Sequence, residues 1–372
     1  MTDVVAISLE PWDEVWRRNQ HFATALLQRD PTLRLLFVEP DHDALHDVTR
    51  RQRPSTGARL SHLAPDESPY ADRVWRWSAT KLMPRTLDRT YDARWARHVQ
   101  RAARQIGFTR PVLWVNDPRG AAVTRRTGWP TIYDITDDWL AAQRTPAEHD
   151  RLVADEDYLL GHAARLTVCS PGILAAKTAG RPITLLTNGV DTDHWRTSRA
   201  RPADLPDSAV LYLGTLHEDR LDVALVTATA QRLSGRATVT LLGPNALTPQ
   251  SSSALHRAGV ALLGARPYAE LPGYLQHASV LIAPHLVNAF TESLDPIKLY
   301  EYLAVGRPVV STPIAGFRDR PEVTIAHGPD FAAAVRSALT SGGHAAYVAH
   351  GLPTWQGQGE RFALALEEVA AG

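Results

Sequence analysis

Short apolar runs alternate with longer segments whose apolar residues recur every three or four positions, from one end of the chain to the other. In the first half the runs are VVAIS (4–8), LRLLFVE (33–39), PVLWVND (111–117), TIYDIT (131–136), RLTVCS (165–170) and ITLLTNG (183–189). Each reads as a strand buried on both faces, as parallel strands are. Helical spacing over 12–28, 85–106 and 147–162 separates them. A second series follows: AVLYLG (209–214), ATVTLLG (237–243), VALLGA (260–265), VLIAPH (280–285) and PVVST (308–312), with helices expected over 221–233, 268–277 and 296–305. This alternation predicts an α/β protein with two Rossmann-like domains, each a parallel sheet covered by helices. The polar, Pro-containing stretch 196–206 (RTSRARPADLP) marks the break. The domains are therefore expected at 1–196 and 206–350, with an amphipathic helix ending the chain over 353–372. In such sheets ligands sit beyond the carboxyl ends of the strands, which directs attention to the residues just after each strand.

Composition narrows the function. The 372 residues carry 40 Lys+Arg against 40 Asp+Glu, and a zero net charge argues against a general nucleic-acid binder. The lone Cys169 excludes an intrachain disulfide. The opening MTDVVAISLEPWDEVWRRNQ has no basic n-region, and no stretch approaches a membrane span, so a cytoplasmic protein is expected. Nine of the ten tryptophans lie at or before Trp195, so the two halves are built from different materials.

The richest constellation is FTESLDPIKLYEYLAVGRPVVST (290–312), read as loop, helix, tight turn and strand. Pro296 suits a first helical turn, and Ser293 or Asp295 can cap it. The free amides and positive dipole end there form a natural phosphate site, with Lys298 in the first turn adding a point charge. Glu301 projects from the same side one turn later and can accept both hydroxyls of a ribose. The bland alternative is a capped helix with a Lys–Glu pair on a solvated face.

PIKLYEYLAVGRPVVST resembles the donor-binding signature of GT-B glycosyltransferases of the group 1, or family 4, type, especially their teichuronic-acid and exopolysaccharide relatives with PxKxYEYLAxGxPVV. SLEPWDEVWRRNQHFATAL, LLTNGVDTDHW (185–195), YLGTLHEDRLD (212–222) and the terminal Trp355 helix are similar to successive segments of the same group. The resemblance implies a glycosyl transfer from a nucleoside-diphosphate sugar, UDP being the commonest nucleotide, with the second domain holding the donor and the first the acceptor. Glu301 matches the second glutamate of the family's E-x7-E element, which implies contact with the ribose. Ser293 stands where the first glutamate would be, with Glu292 one residue off. Glu292 and Asp295 are the carboxylates at hand for the donor sugar, and a retaining or inverting outcome stays open. Arg220 and Lys298, with Ser293, are candidates for holding the leaving diphosphate, whose charge they would neutralise without a metal.

YDITDDW (133–139) ends a first-domain strand. Asp137, with Asp13, is a candidate general base on an acceptor hydroxyl; Asp137 and Asp138 are equally suited to capping a helix. Trp12, Arg18, Asn19 and Asp138 are expected on the acceptor side, unless the segment is an ordinary amphipathic helix. Asp191-Thr192-Asp193 matches a D-x-D metal motif superficially but lies in a turn, and no zinc, P-loop or dinucleotide motif appears, so neither metal nor cofactor is expected. The stretch 72–104 holds nine Lys or Arg against three Asp with three tryptophans interleaved, which suits peripheral membrane contact or a solvated helix with core tryptophans. The acceptor would be a small molecule, as in antibiotic or aminocyclitol biosynthesis, or a surface polysaccharide. A nucleotide-sugar epimerase and a non-catalytic nucleotide-sugar-binding subunit are the rivals.

Overall fold

The computed structural model describes residues 2–43, 60–81, 83, 85, 88, 90–140, 145–177, 180–340, 349 and 351–372. The chain forms two compact units, Met1–Thr187 with Gln356–Gly372, and Asn188–Trp355.

The first unit is built on an eight-stranded sheet in the order Thr184–Leu185, Arg165–Val168, Thr131–Ile135, Val112–Val115, Asp3–Ile7, Arg34–Val38, Val74–Trp77, Ser61–His62. All neighbours are parallel except the edge strand Ser61–His62. The five strand-forming runs expected between residues 4 and 170 all appear, each trimmed at its ends, and the 183–189 run shrinks to Thr184–Leu185. Two readings change. Residues 9–17 are not helical, and the helix is Arg18–Arg29; Gln20 Oε1 accepts from the Arg17 amide at 3.1 Å and fixes its start. The basic stretch 72–104 contains the strand Val74–Trp77 before the helix Tyr91–Gln105, so its charges do not share one helical face.

The first-half tryptophans are mostly core. Trp95 and Trp114 are fully buried, and Trp75 and Trp77 pack against the cluster that holds Trp95. The helix Trp355–Ala371 brings Phe362 onto Phe22 and Trp114, with ring centroids 5.1 and 4.9 Å apart. Beneath the sheet, Arg18 meets Asp134 through Nε–Oδ2 (3.0 Å) and Nη2–Oδ1 (2.9 Å), and Asp134 also accepts from Thr167 at 2.7 Å. A pair this deep needs every one of those partners, because a buried charge left alone is costly.

The second unit holds a six-stranded, wholly parallel sheet ordered Ala261–Gly264, Thr238–Leu242, Ala209–Leu213, Val280–Ala283, Val309–Ser311, Val323–Ile325. Separate apolar clusters cover its two faces. The last strand and the helices Pro249–Arg257 and Pro329–Thr340 were not anticipated from the sequence pattern. The unit begins at Asn188, ahead of the 196–206 stretch, because Val190 and Trp195 are wholly buried in its core. Asp191 belongs to this entry: its carboxylate accepts from the His194 amide at 3.0 Å and caps the short helix Thr192–Arg196.

Candidate active site

The second sheet starts at its centre. From Ala209–Leu213 the chain adds two strands on one side, then returns to place Val280–Ala283 on the other. The crevice beyond the carboxyl ends of these two strands is where open α/β sheets bind ligands. Gly214 leaves the first strand at φ +139°, and a Cβ there would lie 2.7 Å from Lys298 Nζ. Gly243, at φ +146°, passes so close to the Gly214 carbonyl that a side chain would strike it at 2.3 Å. Both positions require glycine. The resulting gap admits Lys298 from the helix Ile297–Val305.

Lys298 is half-buried, and its ammonium donates to Tyr212 Oη at 2.7 Å while sitting 4.0 Å from that ring's centre. His285 Nε2 lies 3.4 Å away. Among the described residues no carboxylate pairs with Lys298. Burial, with the Arg220 guanidinium nearby, pulls its pKa down to about 7. Glu301 is 8% exposed and, among the described residues, no donor reaches its carboxylate. Burial raises its pKa to about 8, opposed by Lys298. Unpaired ionisable groups with opposite shifts in one crevice are ready for a ligand that supplies the missing partners. Arg220 stands at the rim, stacked 5.3 Å from the centre of the Phe290 ring and only loosely tied to Asp219 at 3.4 Å.

The loop before this helix departs from the sequence expectation. Pro296 is the residue before the helix (ψ 117°), and no side chain caps the helix. Ser293 Oγ donates to the Phe290 carbonyl at 2.8 Å. Asp295 accepts from the Asn188 amide at 2.5 Å and from Tyr300 Oη at 2.6 Å, which pins the entry of the unit to the loop. Glu292 is bridged to Arg318 at 2.6 Å. The helix ends as expected, at Gly306 in the left-handed conformation (φ 73°).

In the first unit Trp12 is buried edge-on against Phe37 at 5.1 Å, and its amide donates to Glu39 at 3.1 Å. Arg18 is committed to Asp134 and the Leu186 carbonyl, and Asn19 Nδ2 donates to Ser8 Oγ at 2.7 Å. Asp13 is exposed and accepts from Arg17 at 2.8 Å. Asp137 follows the strand Thr131–Ile135 in a partly exposed turn. Asp138 accepts from Lys177 at 2.8 Å, and that buried lysine also meets Glu156 at 3.0 Å. Neither aspartate caps the next helix, Pro146–His162, whose N-cap is Thr145. Tyr212 and His285 were not singled out from the sequence. Their strand-end positions were visible, but the strand order that brings them to Lys298 was not.

Two Rossmann-like units of this kind define the GT-B class of glycosyltransferases. Sucrose-phosphate synthase from Thermosynechococcus elongatus superposes with a TM-score of 0.65 at 15% identity, over 100% of this chain and 97% of that one. HepE from Anabaena, in complex with UDP-glucose, gives 0.62 at 14% identity over 100% and 99%. Residues 207–341, within the second unit, match the family described as glycosyl transferases group 1. The resemblance read from the PxKxYEYLAxGxPVV segment is thereby borne out. A putative teichuronic acid biosynthesis glycosyltransferase, TuaH of Bacillus subtilis, is 24% identical over 264 residues, which is 63% of this chain and 65% of that protein. Among the described residues no helix is long and apolar enough to cross a membrane.

Proposed function

We propose that this chain transfers a glycosyl group from a UDP-sugar to an acceptor hydroxyl, without a metal, in natural-product (antibiotic or aminocyclitol) or surface-polysaccharide biosynthesis. The observation that carries the reading is Lys298 and Glu301 together in the crevice where the second sheet changes direction, with, among the described residues, no ion pair on the first and no donor on the second. A nucleoside diphosphate supplies both missing partners: oxygens for Lys298 and ribose hydroxyls for Glu301. Negative charge grows on the diphosphate as the glycosyl bond breaks, and Lys298 with Arg220 would stabilise it more in the transition state than in the ground state. The UDP and UDP-glucose complexes of HepE support UDP as the nucleotide. The likeness to TuaH supports a surface polysaccharide as one destination. In this reading Asp137, partly exposed past its strand, acts as the base on the acceptor hydroxyl.

The test is UDP release from a panel of UDP-sugars, with and without a library of sugar, aminocyclitol and glycan acceptors. Acceptor-dependent release with a glycosylated product supports the transferase. Acceptor-independent release of an isomerised sugar would make it an epimerase, and binding with no turnover would make it an inert subunit.

A further inference from the structure

Behind Lys298 lie two side chains that a diphosphate would not touch. Tyr212 is fully buried, and His285 is 2% exposed. Tyr212 Oη is 2.7 Å from Lys298 Nζ and 3.1 Å from His285 Nε2. In the ammonium form that a diphosphate requires, Lys298 only donates, so Tyr212 Oη accepts from it and turns its own proton toward His285 Nε2. That nitrogen is then bare, and Lys298, 3.4 Å away, is its other neighbour. The neutral ring then carries its one proton on Nδ1, which is buried and, among the described residues, has no partner. The backbone holds the imidazole in place: the His285 amide donates to Thr312 Oγ1 at 3.1 Å, and Thr312 Oγ1 donates back to the His285 carbonyl at 2.8 Å.

We propose that Tyr212 and His285 are positioning residues for the reaction, a hydrogen-bonded acceptor pair that aims the Lys298 ammonium and keeps one N–H free for the donor diphosphate. The inference rests on the nucleotide-binding reading above. Tyr212 presents an oxygen and a ring face, and His285 a neutral imidazole, so both favour the charged lysine without neutralising it. The other charged or titratable groups facing Lys298 are Arg220 and His217 from the loop after the Ala209–Leu213 strand, and Glu301 from its own helix. Burial and the nearby cations hold His285 well below the ordinary imidazole range, in keeping with its role as an acceptor. Losing one acceptor lowers the lysine's affinity for its proton, so diphosphate binding should fail at a lower pH.

The experiment titrates UDP and uridine into wild type, Tyr212→Phe, His285→Gln and His285→Leu by calorimetry, with uridine followed by competition where it binds weakly, from pH 6.5 to 9. Thermal melts confirm that each variant folds. Phenylalanine keeps the packing of Tyr212, and glutamine can restore an acceptor near His285. The expected result is about a tenfold or greater loss of UDP affinity in Tyr212→Phe. Uridine affinity stays unchanged, the alkaline fall of UDP binding moves to lower pH, and His285→Gln loses less than His285→Leu. Equal losses for UDP and uridine, or an unmoved alkaline limb, would overturn the proposal by reducing the pair to packing. If wild type binds no UDP, GDP or dTDP at all, the nucleotide reading fails and the positioning role falls with it.

Discussion

Glu301→Gln is expected to change how many protons accompany nucleotide binding. Burial pulls Lys298 down to about 7 and pushes Glu301 up to about 8. Near neutrality these opposite shifts bias the pair toward neutral lysine with protonated carboxyl, against the ion pair. A nucleoside diphosphate needs the opposite form, with an ammonium for the phosphates and a carboxylate for the ribose hydroxyls. Around pH 7.5 binding then moves one proton from Glu301 to Lys298 and takes almost none from solvent. In Glu301→Gln that internal donor is gone, and loss of the carboxylate's attraction lowers the lysine further. UDP binding at pH 7.5 should then draw more protons from the buffer than it does in wild type. Calorimetry in phosphate and Tris, whose ionisation enthalpies differ widely, reads this directly. Equal proton uptake in the two proteins would refute the coupling.

The same substitution should raise the melting temperature of the unliganded protein. A carboxyl held above its ordinary value is a cost that sets in as pH rises past the usual carboxylate range and grows until about pH 8. Melts compared at pH 5 and pH 8 should show a gain of the order of a few kcal/mol at the higher pH alone. Asp134→Ala leaves Arg18 buried without its carboxylate and should cost about 3–5 kcal/mol, read as a drop in denaturant midpoint; an unchanged midpoint would dismiss the pair as a structural tie. Gly214→Ala places a methyl 2.7 Å from Lys298 Nζ and should weaken UDP binding while sparing uridine binding; a variant with wild-type UDP affinity would show that the lysine does not need that gap.

Much of this was legible in the residues. The βα alternation carried both sheets, because fully buried parallel strands must be continuous apolar runs, and the segment PIKLYEYLAVG placed Lys298 and Glu301 one turn apart on a helix. The strand Val74–Trp77 was missed because its VWRW pattern sits among arginines that suggest a helix face; its burial comes from pairing with Arg34–Val38, which local pattern does not encode. The caps expected at Ser293 and Asp295 were plausible side chains in plausible places, but tertiary partners claimed them: the Phe290 carbonyl for one, Asn188 and Tyr300 for the other. Arg18 looked like a polar residue on a helix face and turned out to be the partner of an aspartate 116 positions along the chain. Tyr212 and His285 meet only because of the strand order, which is a property of the whole sheet.

The central claim is that the second unit holds a nucleoside diphosphate through Lys298 and Glu301. Titration of the wild-type chain and of Lys298→Ala with UDP, GDP and dTDP tests it most directly. Saturable binding of one nucleotide per chain is expected, strongest for UDP and weakened at least tenfold by removal of the ammonium. Binding of none of the three, or affinity for UDP undiminished in Lys298→Ala, would contradict it.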